Sequence, residues 1–251
     1  MQRNDLVNQL NNWLQPENVQ DYCPNGLQVE GNEQVNSVVT GVTASQALVD
    51  AAIARGADTL LVHHGYFWKG EAEPVVGMKR KRLGALLKAN INLVAYHLPL
   101  DIHPEFGNNA QLLTLLGANQ IEPVPNVAPS GILQVGRLPQ ALSGLELARK
   151  LEQLLGRQLV ASVLFEQPIT RVAVCTGGGQ GFIEQALAAG ADAFITGEVS
   201  EQTIHVAREC GIQFYAAGHH ATERYGVKAL GEKLAAEFGL NVSFIDIDNP
   251  A

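Results

Sequence analysis

Five of the seven histidines crowd into three short stretches: His63 and His64 in VHHG, His97 in YHLPLD, and His219 and His220 in GHHATE. Asp101 and Glu223 travel with them. Imidazole nitrogen together with carboxylate oxygen suits borderline divalent ions such as Zn, Fe, Mn, Co or Ni better than Ca or Mg. His63, His64, Asp101, His219 and Glu223 are the candidate ligands. They are too few to close two separate tetrahedral sites and more than an open mononuclear site needs. Two ions about 3.5 to 4 Å apart, sharing a bridging carboxylate and a bridging water, resolve the count. Such a pair would generate a hydroxide nucleophile and stabilise the oxygen it attacks or expels, so the expectation is a dinuclear metal-dependent hydrolase.

Two spacings bear on that reading. His219 and Glu223 stand at i and i+4, on one face of a helix expected to run to about residue 238, with His220 pointing elsewhere. Adjacent side chains in a strand point to opposite faces. His63 and His64 can therefore serve one site if the strand ends at Val62 and Gly65 lets the backbone turn, one histidine facing each ion.

The elements that must position these residues are written twice. VVTGVTASQALVDAAIARGADTLLV (38 to 62) lies over VAVCTGGGQGFIEQALAAGADAFIT (172 to 196), each residue 134 positions before its counterpart. Each copy reads as a β-branched strand, a helix with an apolar stripe, a glycine that ends it, and a second buried strand. Both continue with a helical segment (79 to 89; 200 to 210) and a further strand, INLVAYH or IQFYAAG. The fold class is therefore α/β, duplicated βαβ halves forming a mostly parallel sheet with helices packed on it. Ligands of such sheets bind beyond the carboxyl ends of the strands, where the histidines fall. IEPVPNVAPSG (121 to 131), with three prolines, is the expected boundary between halves of about 1–125 and 126–251 within one domain. A Ser143/Glu146 capping box opens a helix in the second half, and an apolar stripe of Leu6, Val7, Leu10, Trp13 and Leu14 opens the first.

Bulk properties set limits. With 251 residues, 46% of them hydrophobic, the chain can bury a sizeable core. A net charge of -8 argues against a general polyanion binder, so nucleic acid is not the expected partner. No apolar run has the length of a membrane span and MQRNDLVNQL has no signal-peptide apolar segment, which makes the cytoplasm the expected location. Cys23, Cys175 and Cys210 show no CxxC spacing and read as buried reduced thiols.

DYCPNGLQVEG, VTGVTASQALVDAA, HHGYFWKG, HLPLD, GNNAQL, TGGGQGFI, TGEVSEQTIH and GHHATER together resemble the Nif-three-like family (Ngg-one-interacting factor three), whose bacterial members carry the name GTP cyclohydrolase I type 2. The resemblance runs nearly end to end. It implies a Nif-three-like fold, two divalent ions per chain, and a homohexameric ring with its sites facing inward. It also implies that Glu223 bridges the ions, with His64 and Asp101 on one and His63 and His219 on the other. The implied reaction opens the guanine ring of GTP at C8, releases formate and closes dihydroneopterin triphosphate. His97 is the candidate catalytic proton shuttle, or alternatively orients a ligand. The competing reading from another class is a metal-binding hexameric regulatory or scaffold protein without that turnover.

Fainter signals leave alternatives open. TGGGQG (176 to 181) could cradle a phosphate or make a tight turn. Glu198 falls opposite His64 in the repeat, which suggests a degenerate half-site. Lys79 to Arg82 could meet a triphosphate or form a solvated helix face, and Tyr66, Phe67 and Trp68 could stack on a base or line an interface.

Overall fold

The repeat folds as the same strand and helix series twice. A computed structural model describes residues 1–251. Its elements are α1 (Arg3–Leu14), β1 (Gly26–Val29), β2 (Ser37–Thr43), α2 (Gln46–Ala54), β3 (Thr59–His64), α3 (Gly77–Ala89), β4 (Asn92–Ala95), α4 (Leu98–Asp101), α5 (Asn108–Leu115), β5 (Asn119–Pro123) and β6 (Gln134–Leu142). There follow α6 (Gly144–Leu155), β7 (Ala161–Val163), β8 (Ile169–Cys175), α7 (Ile183–Ala188), β9 (Ala193–Thr196), α8 (Glu201–Cys210), β10 (Gln213–Ala216), α9 (His219–Thr222), α10 (Arg224–Phe238) and β11 (Asn241–Phe244).

Two compact units form, residues 1–100 with 226–248 and residues 101–225 with 249–251. In the first the sheet order is β1-β4-β3-β2-β11, parallel except for β1 against β4. In the second it is β5-β6-β8-β9-β10-β7. There β8, β9 and β10 are parallel, while β5, β6 and β7 pair antiparallel. The α/β class holds, but as two mixed sheets instead of one mostly parallel sheet. Parallel neighbours need a crossover, and β5 runs into β6 with no helix between them, so that pair returns antiparallel.

The proline-rich stretch from 121 to 131 is no boundary between these units. Its first residues belong to β5, and the Val124 N–H bonds the Leu133 carbonyl at 2.9 Å. The units instead exchange chain at 100/101 and 225/226, because β11 returns to pair with β2.

Each unit has its own core. Leu48, Leu60, Val62, Leu86 and Leu93 pack in the first, and Leu147, Leu151, Val172, Ile195 and Tyr215 in the second. The repeat extends to single hydrogen bonds. Asp58 Oδ2 accepts from the Asn36 and Ser37 N–H groups as the chain enters β2. Asp192 Oδ2 accepts from the Thr170 N–H and hydroxyl and from the Arg171 N–H at the start of β8. Gly56 and Gly190, with φ of 62° and 70°, follow α2 and α7 in the left-handed conformation that suits glycine. The capping box on α6 is formed in full, and α1 buries Leu6, Leu10 and Leu14.

Candidate metal centre

In the first unit, β3 runs through both histidines instead of ending at Val62. His63 is fully buried and His64 is half-buried, as alternation requires. Their rings nevertheless sit 4.5 Å apart between centroids, because imidazoles at the last two residues of a strand can lean together beyond it. Gly65 has no left-handed φ; a side chain there would collide with Gln28 Oε1 and come within 2.7 Å of Ala95 Cβ. Close approach, not a turn, demands the glycine. His63 Nδ1 donates to the Tyr96 carbonyl at 2.9 Å, which puts the ring's lone pair on Nε2. His64 Nδ1 meets Thr43 Oγ1 at 3.1 Å, across the β2 and β3 register that pairs these residues.

His97 joins that pair, with its ring 5.2 Å from His63 and 5.7 Å from His64. One nitrogen of each of the three rings lies within 4.8 Å of the others. Trp68 lies edge-on to His97 at 4.9 Å. Asp21 fixes His97 from behind, with Oδ1 2.7 Å from Nδ1, while its Oδ2 accepts from the Leu98 N–H and from Asn25. Burial pushes the Asp21 carboxyl up, but the His97 and Asn25 hydrogen bonds outweigh it and hold the group below its usual range. Asp21 is therefore a carboxylate acceptor. Asp21 and Asn25 both lie in DYCPNG, and no spacing in the sequence could assign them to a histidine more than seventy positions away.

In the second unit, α9 and α10 meet at Glu223, and the i, i+4 geometry holds: His219 Nε2 is 3.2 Å from Glu223 Oε2. The Asp101 carboxylate is buried, accepts from Asn108 Nδ2 at 2.8 Å, and has an oxygen within 4.8 Å of one on Glu223. GNNAQL thus has a physical role. Asn108 orients Asp101, while Asn109 accepts from the Thr176 N–H and donates to the Gly131 and Ile132 carbonyls. Glu198 Oε1 lies 2.7 Å from His219 Nδ1. Burial lowers the His219 pKa, but the hydrogen bonds and charges of Glu223 and then Glu198 prevail and push it up to about 9.

Two of the four glycines of TGGGQG, Gly177 and Gly179, are explained by packing. Gly177 has φ 63°, and a Cβ there would collide with Glu223 Oε1 and stand 3.1 Å from His219 Nε2. Its N–H bonds Thr222 Oγ1, and at Gly179 a Cβ would lie 2.6 Å from the Cys175 carbonyl oxygen.

Other expectations resolve individually. Tyr66 is core, its hydroxyl bonded to the Ala44 carbonyl. Lys79 and Arg82 are half-buried, Lys79 pairing with Glu71 and lying over Phe67, so only Arg80 and Lys81 of that run are on a solvated helix face. Burial, and then Asp21, push the Cys23 thiol up to about 12; burial, and then Asp101 and Glu223, push Cys175 up as well. Cys210 is exposed at the end of α8, so the reading of all three cysteines as buried fails there. No helix is long and apolar enough to cross a membrane.

The sequence profile described as Duf34/NIF3 (NGG1p interacting factor 3) matches residues 1–250. A Pseudomonas aeruginosa protein named GTP cyclohydrolase 1 type 2 homolog is 56% identical over 246 residues, 98% of this chain and 97% of that one. An Escherichia coli K12 protein of the same name is 55% identical over 252 residues, all of both chains. Among solved structures, protein ybgI, described as of unknown function, superposes with a TM-score of 0.95 at 54% identity, covering both chains fully. TTHA1606 from Thermus thermophilus gives 0.91 at 37% identity, again over both whole chains.

Proposed function

The chain belongs to the Duf34/NIF3 family, and from that premise we propose that it is a dinuclear metal-dependent hydrolase acting on a purine nucleotide. His63, His64, Asp101, His219 and Glu223 are its metal ligands. The observation that carries this reading is the pair of buried carboxylates, Asp101 at 5% and Glu223 at 3% exposure, with oxygens within 4.8 Å of each other and an imidazole beside Glu223. Two like charges so close and so dry repel unless a cation or a proton neutralises them. The donor set fits the group as well, because His63 holds a proton at Nδ1 and so offers Nε2, while His219, held at Nδ1 by Glu198, offers Nε2 once an ion displaces the proton it shares with Glu223.

When bound, two divalent ions would let water act as a nucleophile at neutral pH and would stabilise charge on the oxygen attacked or expelled. The chain's own residues do the rest. Asp21 holds the proton on His97 Nδ1, which leaves Nε2 as the atom that takes up and returns a proton. Trp68 packs edge-on against that ring. Asn108 keeps the Asp101 carboxylate in one orientation. The name shared by the curated relatives supports GTP as the substrate, and the reaction we propose for it yields dihydroneopterin triphosphate and formate. The same reading carries assembly as a homohexamer, which sedimentation equilibrium measures.

Metal analysis of untagged protein, followed by incubation of loaded protein with GTP and a panel of other nucleotides, tests the proposal against Glu223→Ala. Expected are about two ions per chain and formate release in the parent, both lost in the variant. Turnover indifferent to Glu223 would overturn the enzyme reading. Stable metal content with no turnover across the panel would leave the regulatory or scaffold reading in its place.

A further inference from the structure

The two repeats treat one position differently. Residue 64 of the first corresponds to residue 198 of the second, so a histidine at the end of β3 is matched by a glutamate just after β9. His64 has a hydroxyl neighbour, Thr43, at the end of β2. The counterpart of Thr43 is Gly177, where any side chain would collide with Glu223. In the second repeat the space beside this position is taken instead by a carboxylate arriving on the turn between α9 and α10. Its residue 198 turns to a different partner: Glu198 Oε1 is 2.7 Å from His219 Nδ1, and Oε2 accepts from Gln180 Nε2 at 3.3 Å. Gln180 is itself one of the residues shared by the two repeats, opposite Gln46.

We propose that Glu198 is a positioning residue for metal capture. A carboxylate can only accept, so the Glu198 contact holds a proton on His219 Nδ1 and leaves Nε2, which faces Glu223, as the nitrogen that gives up its proton to an ion. A neutral imidazole without such a partner divides between two tautomers, one of which has its proton on Nε2 and cannot ligate there. Gln180 in turn keeps the carboxylate from rotating away. The repeat has converted a position that supplies a ligand in the first copy into one that orients a ligand in the second. Glu198 is 46% exposed on its side chain and packs no core, so its removal leaves the fold in place. The inference rests on the reading of His219 as a ligand.

Zinc affinity measured by competition with a chromophoric chelator tests it, using the full-length parent, Glu198→Ala, Glu198→Gln, His219→Ala and the Glu198→Ala/His219→Ala double variant. Loss of a carboxylate behind a ligating histidine costs about 10-fold to 100-fold in affinity, and that is the expected loss in Glu198→Ala at one of the two ions. Glu198→Gln should recover most of it, since an amide oxygen still accepts from Nδ1. The alanine change should cost nothing further when His219 is already gone, because the effect runs through that ring. Glu198→Ala binding within about twofold of the parent would overturn the role of Glu198, as would an undiminished loss in the His219→Ala background; the smallest loss expected is about tenfold. Parent and His219→Ala binding zinc alike would instead fail the underlying ligand assignment and remove the present inference with it.

Discussion

His219 carries a carboxylate on each side of its ring, Glu198 at Nδ1 and Glu223 at Nε2, and this decides how it responds to pH. Both charges favour the imidazolium and outweigh burial, so the folded-state pKa lies at about 9 against an ordinary 6.5. In the metal-free protein the pairing therefore contributes stability that is fully present below pH 6.5 and is lost as pH rises through about 9. Metal capture runs the other way, because the ion must displace a proton from Nε2. Chelator competition between pH 6.5 and 9 should show affinity rising by about tenfold per pH unit for that one proton; a flat profile would contradict the assignment. At this scale the sequence showed which residue types were present and that His219 and Glu223 share a helical face. It could not show Asp21 behind His97, Asn108 on Asp101, or Glu198 on His219. Each of those pairs is joined across a loop or between strands, where no period relates the partners.

Local elements follow the repeated sequence closely, down to the aspartate that closes each GAD. Asp58 and Asp192 accept from the backbone of the strand beside their own, fixing where β2 and β8 begin. Hydrogen bonds to a charged acceptor are worth about 1.5 to 3 kcal/mol. Urea titrations of Asp58→Ala and Asp192→Ala should therefore each show an unfolding free energy lower by about that amount. Asp192 should show the larger loss, since it also holds the Thr170 hydroxyl. A change below about 0.5 kcal/mol in both, the size expected of an ordinary surface substitution, would mean that water replaces the carboxylates without cost. The strands and helices of the repeat were legible because apolar periodicity and helix-ending glycines are local signals. The antiparallel strands β5, β6 and β7 were not, since pairing direction depends on partners distant in the chain.

Across the whole molecule, the last strand belongs with the first sheet: β11 pairs in parallel with β2, from Asn241 against Ser37 to Phe244 against Thr40. Gly41 shows how tightly that edge is closed, since a Cβ there would stand 3.1 Å from the Ile245 carbonyl oxygen. A chain truncated after Phe238 would expose the β2 edge and remove Ile245 and Ile247, which pack against the first core. It should show a lower melting temperature together with concentration-dependent aggregation through the open edge, whereas an unchanged melting curve would mean that β11 contributes nothing. By itself the sequence determined the duplicated α/β design, the chemical class of the donor set and the family, because composition, local period and a repeat offset are all readable along one dimension. Only the tertiary structure decided that two mixed sheets form, that the units trade chain at 100/101 and 225/226, and that TGGGQG makes room for Glu223 and His219. Those outcomes depend on which distant backbones and side chains occupy the same space, and excluded volume leaves no mark on spacing.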